Sequence, residues 1–390
     1  MRHASHAHDR GAGIALEFIR GMNPRLEQLH RVAASRASLL SLAGGLPAAE
    51  LLPRDAIAAA SVDVLPASST DALQYGWPEG DLAIRAWVAE RMTARGAPTD
   101  PDDVVVTAGA QQALSLVAAV WPAGTRVAID GETYPAAIET LTLAGHALVD
   151  GGPHGRAPLA YVIDGVSNPH GVDRVAPRRA ALLAGDAHLI VDEAHVDLRF
   201  DSRVPRPLCA DAPARCWQVG SFSKVVGPGL RVGWLIPPRE RLAEVLAHKR
   251  AADLHTGAFA QAVLARWLER ADYDELVERA RNLYRARAER LVASLARRLP
   301  GWHVTVPEGG LSLWVETDLA GDDVAFLAAA IGSGVAVDPG SMFRPFPAGD
   351  DAIALRLSFS HAPFAQLDEA VRRLERAATG FRRTREARAA

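Results

Sequence analysis

The sequence predicts an α/β protein whose mostly parallel sheet is covered by helices on both faces. Three observations carry this. Short apolar runs alternate with helical stretches from Val104 to Ile236. The runs are of the buried type expected when both faces of a sheet are covered. Polar and glycine-bearing stretches follow the runs, and ligands in such sheets sit outside the carboxyl ends of the strands.

Composition bounds the alternatives. With 390 residues, two globular domains and an ample core are the default. A net charge of −3 gives no electrostatic case for nucleic acid or an anionic membrane. No apolar run approaches the roughly 20 residues of a membrane span. Cys209 and Cys216 are too few for a disulfide framework or a zinc cage, so a reducing cytoplasm is expected. His3, His6 and His8 read as part of a disordered tail, and no metal site is expected.

Taken in order, residues 14–37 mix apolar and basic residues at near-helical spacing, with Leu16, Ile19 and Met22 on one face. In Gly44-Gly45-Leu46-Pro47 the paired glycines form a simple turn or let a ligand approach the backbone closely. Tyr75 to Gly80 is a turn. A helix follows, with Leu82, Ile84, Trp87, Val88 and Met92 on its apolar side and Arg85 and Glu90 facing elsewhere. Strands are expected at 104–107, 126–129, 147–149, 161–163, 189–191, 217–219 and 232–236, and helices at 109–120, 136–143 and 177–184. Residues 242–299 are mostly helical. Runs at 304–306 and 311–315 alternate like antiparallel strands, and helices 323–331 and 363–376 with strands 335–337 and 353–358 complete a small α+β unit. The arginine-rich end, 381–390, reads as frayed.

The polar stretches suggest chemistry. Ser221-Phe222-Ser223-Lys224 places an amine beside two hydroxyls, with Arg231 beyond a Gly-Pro-Gly bend. A lysine amine forms a Schiff base with an aldehyde, and hydroxyls with a guanidinium bind phosphate. An aldehyde and a phosphate together describe pyridoxal 5′-phosphate. Alone, the stretch fits a solvated lysine beside a turn equally well. Gly109-Ala110-Gln111 opens a helix, where backbone N–H groups suit a phosphate. Asp192 ends a strand and is either a surface charge or the partner of a buried cation such as a protonated pyridine nitrogen. Arg356 amid strand residues is either outward-facing or the partner of an anion such as a carboxylate.

Eight motifs in order resemble the fold-type I, class I/II aminotransferases, closest to the 2-aminoadipate and valine-type branch. They are Ser-Leu-Ala-Gly-Gly-Leu-Pro (41–47), Leu-Gln-Tyr-Gly (73–76), Gly-Ala-Gln-Gln-Ala-Leu (109–114), Ser-Asn-Pro-His-Gly (167–171), Asp-Glu-Ala-His (192–195), Gly-Ser-Phe-Ser-Lys (220–224), Pro-Gly-Leu-Arg (228–231) and Leu-Arg-Leu-Ser-Phe (355–359). The resemblance implies an arm or lid at 1–50, a large cofactor-binding domain at 51–250 with a mostly parallel seven-stranded sheet, and a long helix with a small α+β domain at 251–390. It implies Lys224 as Schiff-base lysine and proton shuttle, and Asp192 at the pyridine nitrogen. Ala110, Gln111, Ser221, Ser223 and Arg231 would hold the phosphate, Tyr134 would lie on or beside the ring, and Asn168 and His195 would sit at its oxygen. Asn168 and Arg356 would hold the substrate carboxylate, and Gly45 would also line the substrate site. Tyr75 would reach the neighbouring subunit's phosphate site in a homodimer, and Arg25 and Arg31 are lid candidates.

Two departures stand out. Ala110 replaces a frequent serine, and His195 stands where the family usually has tyrosine. A histidine there titrates near neutral pH and either tunes the cofactor, acts as a second base or is a tolerated change. His170, at a family threonine, has no clear consequence. The implied reaction moves an amino group between an L-amino acid and a 2-oxo acid. The rivals are β-elimination, oxidative decarboxylation, and a non-enzymatic sensor, for which too little chain precedes Gly44 to hold a DNA-binding module. Trp77, His255, Phe343 and Phe346 are candidates for the side-chain pocket.

Overall fold

In a computed structural model, the structure describes residues 38–65, 71–151, 157–346 and 352–389. The near-helical spacing at 14–37, the candidates Arg25 and Arg31, and the N-terminal histidines lie outside these residues.

Thirteen strands and ten α-helices are described. In chain order they are β1 (Leu40–Ser41), α1 (Arg54–Asp63), α2 (Leu82–Ala94), β2 (Val105–Thr107), α3 (Ala110–Val120), β3 (Arg126–Ile129), α4 (Pro135–Leu143), β4 (Ala147–Asp150), β5 (Leu159–Ile163), α5 (Arg179–Ala184), β6 (His188–Asp192), β7 (Cys216–Ser221) and β8 (Gly233–Ile236). Then come α6 (Leu242–Asp253), α7 (Ala258–Arg270), α8 (Tyr273–Arg298), β9 (His303–Val304), β10 (Ser312–Ala320), α9 (Asp323–Gly332), β11 (Val335–Ala336), β12 (Asp338–Pro339), β13 (Ala352–Ser358) and α10 (Leu367–Ala389).

The seven-stranded sheet has the order β2-β8-β7-β6-β5-β3-β4. Only β8 runs against its neighbours. Period-two alternation sorts its side chains between two cores. Leu159, Tyr161, Ile163 and Ile190 join α3 and α4 on one face. Ala160, Val162, Leu189 and Val191 pack with Val175 and Leu208 on the other. Both faces are therefore covered, which is why these strands carry so few polar residues. The ends of β6 and β7 lie side by side, with Asp192 paired in register with Val219.

The second part is held by β12-β13-β10-β9, an antiparallel sheet, and by α8. Along α8 the buried residues Tyr273, Leu276, Val277, Ala280, Tyr284, Arg287, Ala288, Leu291 and Leu295 recur every three or four positions, one helical face. Asp272 caps its start by accepting from the Glu275 N–H at 2.9 Å. The segment before α1 is stitched to this part. β1 pairs with β11, the Ser358 N–H donates to the Leu42 carbonyl (2.7 Å), and the Ala48 N–H donates to the Tyr284 hydroxyl (3.0 Å). Gly44 and Gly45 are thereby fixed.

Two expectations fail. Arg85 does not face solvent. It is 9% exposed and donates to the Gly80 and Pro101 carbonyls and to Asp102, while Leu82 is 60% exposed. A long side chain that satisfies several acceptors outcompetes a leucine for a buried place. The basic end is not frayed, because α10 runs through Ala389. No helix among the described residues is long and apolar enough to cross a membrane.

Candidate active site

One cavity collects the ends of the strands and the Gly44–Leu46 segment. Its lining includes Gly45, Ala110, Gln111, Tyr134, Asn168, Asp192, His195, Ser221, Ser223, Lys224, Arg231 and Arg356. Every residue expected at the cofactor or substrate is present except Tyr75, which is 78% exposed and meets the His255 ring edge-on, 5.9 Å between centroids. Of the four pocket candidates only Phe343 lines the cavity.

Asp192 sits at the end of β6 in the middle of the sheet. Its Oδ1 accepts from the Ala194 N–H (2.9 Å) and its Oδ2 from the Tyr161 hydroxyl (2.8 Å). Burial pushes this carboxyl up, and the two hydrogen bonds and the Lys224 charge oppose it. Tyr161 keeps its proton, because burial and the Asp192 charge hold the phenol well above its usual range. It stands beside Ile190 in register, a placement its strand-like neighbours in sequence do not disclose.

Lys224 follows β7 through a turn that Ser221 caps. The Ser223 N–H donates to Ser221 Oγ (3.1 Å), and the two hydroxyls lie 3.0 Å apart. Lys224 Nζ donates to the Gly45 carbonyl at 2.9 Å. Burial, with the Arg356 charge nearby, lowers this ammonium to about 8. The chain has only two lysines. The other, Lys249, is fully buried and bonded to Asp253, Thr256 and Gln112. Lys224 is therefore the one lysine amine that faces the cavity.

At the start of α3 the cap is Gly109, which contributes no side-chain bond. The Ala110 and Gln111 N–H groups meet no acceptor among the described residues, as the first donors of a helix do. Only glycine fits at 109. Its φ is +86°, and a Cβ there would come within 2.8 Å of the Arg231 guanidinium. Arg231 adopts the left-handed conformation (φ 53°), a strained choice for this residue, and donates to the Ala108 carbonyl at 2.9 Å. The Gln111 side chain turns away to Thr140 (2.5 Å), leaving its backbone N–H at the cavity.

Tyr134 and His195 make no side-chain hydrogen bond to a described residue. Burial, then the Asp192 charge, pushes Tyr134 up to about 12. Burial, then the Lys224 and Arg356 charges, pushes His195 down to about 3. Burial and these two charges thus favour the neutral imidazole of His195. Arg356 is buried. Its Nη1 donates to Asn168 Oδ1 (3.0 Å), and its Nε and Nη2 donate to Asp338 Oδ2 (3.0 and 2.6 Å). Asp338 escapes sequence reasoning, because Asp-Pro-Gly after an apolar run reads as a turn.

This constellation has relatives. The family model described as aminotransferase class I and II matches residues 40–151 and 157–374. The chain belongs to this family. It is 34% identical to the 2-aminoadipate transaminase of Thermus thermophilus over 372 residues, 89% of this chain and 91% of that one. It is 29% identical to aromatic-amino-acid aminotransferase 1 of Thermococcus litoralis, over 87% of each. A crystal structure of LysN, an α-aminoadipate aminotransferase from Thermus thermophilus, is similar with a TM-score of 0.82 at 30% identity, covering 94% of this chain and 97% of that one. That structure is complexed with N-(5′-phosphopyridoxyl)-L-leucine.

The fold is accordingly fold-type I, and the protein is an aminotransferase that uses pyridoxal 5′-phosphate. The lyase alternative is not favoured, and the chain is an enzyme of the transferase class. The donor set fits the cofactor: a cavity-facing amine, a buried carboxylate, two unpaired N–H groups at a helix start, and hydroxyls with a guanidinium beside them.

One expected result follows from the Lys224 value. The neutral amine is the nucleophile, so its fraction grows as pH rises. Apoprotein mixed with pyridoxal phosphate should gain its visible absorbance at a rate that climbs through pH 8 and then levels. A rate that falls with rising pH would contradict this.

Proposed function

We propose that this aminotransferase moves the amino group of an L-amino acid to a 2-oxo acid with Lys224 as the covalent and proton-carrying residue. Bound pyridoxal phosphate supplies an electron sink for a carbanion at the substrate's α-carbon. The observation that carries the reading is that Lys224 Nζ, the buried Asp192 carboxylate and the Arg356 guanidinium line one cavity.

Lys224 Nζ would hold the cofactor's aldehyde, and once free it would take a proton from the substrate's α-carbon and later return one, which its lowered basicity suits. Asp192, oriented by Tyr161 and Ala194, would face the cofactor's pyridine nitrogen and favour its protonated form. The Ala110 and Gln111 N–H groups, Ser221, Ser223 and Arg231 would hold the phosphate, Tyr134 would wall the ring, and Asn168 and His195 would serve its oxygen. Arg356 and the Gly45 backbone seat the carboxylate.

The rest of the lining is mainly apolar, with Leu46, Ile163, Leu311, Met342 and Phe343. We read the donor as an amino acid with an apolar or aromatic side chain. Incubation of the purified enzyme with such donors and 2-oxoglutarate should yield glutamate and the matching keto acid. Ammonia or carbon dioxide in place of glutamate would overturn the reading.

We also propose a homodimer with shared sites. Leu73, Tyr75 and Trp77 are more than 70% exposed, and Leu82 and Leu254 more than half. Adjacent apolar residues exposed to this degree mark an interface, and Tyr75 at its centre is absent from its own chain's cavity. A Leu73→Asp, Trp77→Asp double variant should sediment as a monomer and lose cofactor on gel filtration. A dimer that survives both changes would contradict the placement. The two cysteines, neither in a disulfide, fit a cytoplasmic enzyme.

A further inference from the structure

Arg356 does not meet the cavity as a bare cation. A guanidinium carries five N–H donors. Two bonds go to one oxygen of Asp338 and one to Asn168, which leaves two donors for a ligand. The same Asp338 oxygen accepts from the Gly44 N–H at 2.8 Å. Asp338 is fully buried, and its Oδ1 has no hydrogen-bond partner among the described residues. The Phe343 ring lies 4.7 Å from the guanidinium carbon and completes a rigid seat.

Orientation and charge are separable here. All three bonds to Asp338 end on Oδ2. A neutral acceptor oxygen at that place would orient Arg356 as well. The carboxylate adds a negative charge, out of contact with water, on the guanidinium that is to receive the substrate's own carboxylate. Two carboxylates on one guanidinium repel, and in surroundings of effective dielectric about 20 this amounts to at least about tenfold in affinity.

We propose that Asp338 determines how strongly this enzyme prefers an α-carboxylate over a neutral group at that place. By compensating the Arg356 charge it makes the seat a pair of directed hydrogen-bond donors with little net charge. Amino compounds with a neutral α-carboxamide therefore compete with the corresponding amino acids. The proposal rests on Arg356 as the carboxylate seat.

The test is Asp338→Asn in the cofactor-loaded enzyme. The asparagine oxygen takes the three bonds, and its nitrogen falls where Oδ1 makes none. Dissociation constants are measured by calorimetry for 4-methylpentanoate and 4-methylpentanamide, and KM and kcat for leucine and leucinamide. The expected result is a rise of at least about tenfold in acid-over-amide preference, through tighter acid binding and a lower KM for leucine. Visible absorbance and melting temperature should stay close to those of the unaltered enzyme. An unchanged or lower preference would overturn the proposal and leave Asp338 as an orienting brace alone. If the unaltered enzyme itself prefers acid to amide no more than an Arg356→Ala variant does, Arg356 is not the seat, and the reading beneath the proposal fails instead. Should the asparagine variant not retain cofactor, Asp338→Thr supplies a neutral acceptor and is read the same way.

Discussion

Replacing Lys224 by alanine is expected to reduce transamination by about 10⁴-fold or more, because one side chain supplies both the nucleophile and the proton carrier. No other lysine is placed to compensate. Lys249 is enclosed and held by Asp253, Thr256 and Gln112. The variant should fold, since Nζ makes a single hydrogen bond, to the Gly45 carbonyl. Its lost contact costs about 1 kcal/mol of stability. The phosphate donors remain, so the variant should still bind pyridoxal phosphate, now with the spectrum of the free aldehyde. Single-turnover assays and absorbance spectra check both points. Turnover within tenfold of the unaltered enzyme would contradict the role.

Asp192→Asn is expected to lower kcat by roughly 10²–10³-fold, the usual cost of removing one preorganised electrostatic partner from a water-excluded site. The reason is charge more than shape. An amide cannot hold the pyridine nitrogen protonated, so the ring draws electrons less strongly. The substitution also breaks a bond. Asp192 accepts on both oxygens, from Ala194 and from Tyr161. Whichever way the amide turns, its NH₂ meets a donor, so one buried donor is left unsatisfied, at about 1–3 kcal/mol. Stopped-flow kinetics and a denaturation curve separate the two effects. Tyr161→Phe should show part of the stability loss with a smaller kinetic effect.

Much of the fold is legible in the sequence because strands buried on both faces leave a plain signature. The runs at 126–129 and 189–191 match β3 and β6 to within a residue at each end, since neither face tolerates polar residues. Lys224, Asp192, Asn168 and Arg356 stand out in the sequence because each follows or sits in such a run, and all four line the cavity. What escapes depends on pairing across the chain. Tyr161 becomes a partner of Asp192 only through the register of β5 against β6, and Asp338 meets Arg356 only because β12 pairs with β13. The ionisation of His195 escapes for a related reason. A histidine's charge depends first on its burial and then on the cations around it, and Lys224 and Arg356 arrive from distant segments.

The most direct test of the account is borohydride reduction of the enzyme loaded with pyridoxal phosphate, followed by proteolysis and peptide mass analysis. A phosphopyridoxyl mass is expected on the peptide that contains Lys224 and none on the peptide that contains Lys249. Label on Lys249 or on the chain's N-terminal amine, with Lys224 unmodified, would contradict it.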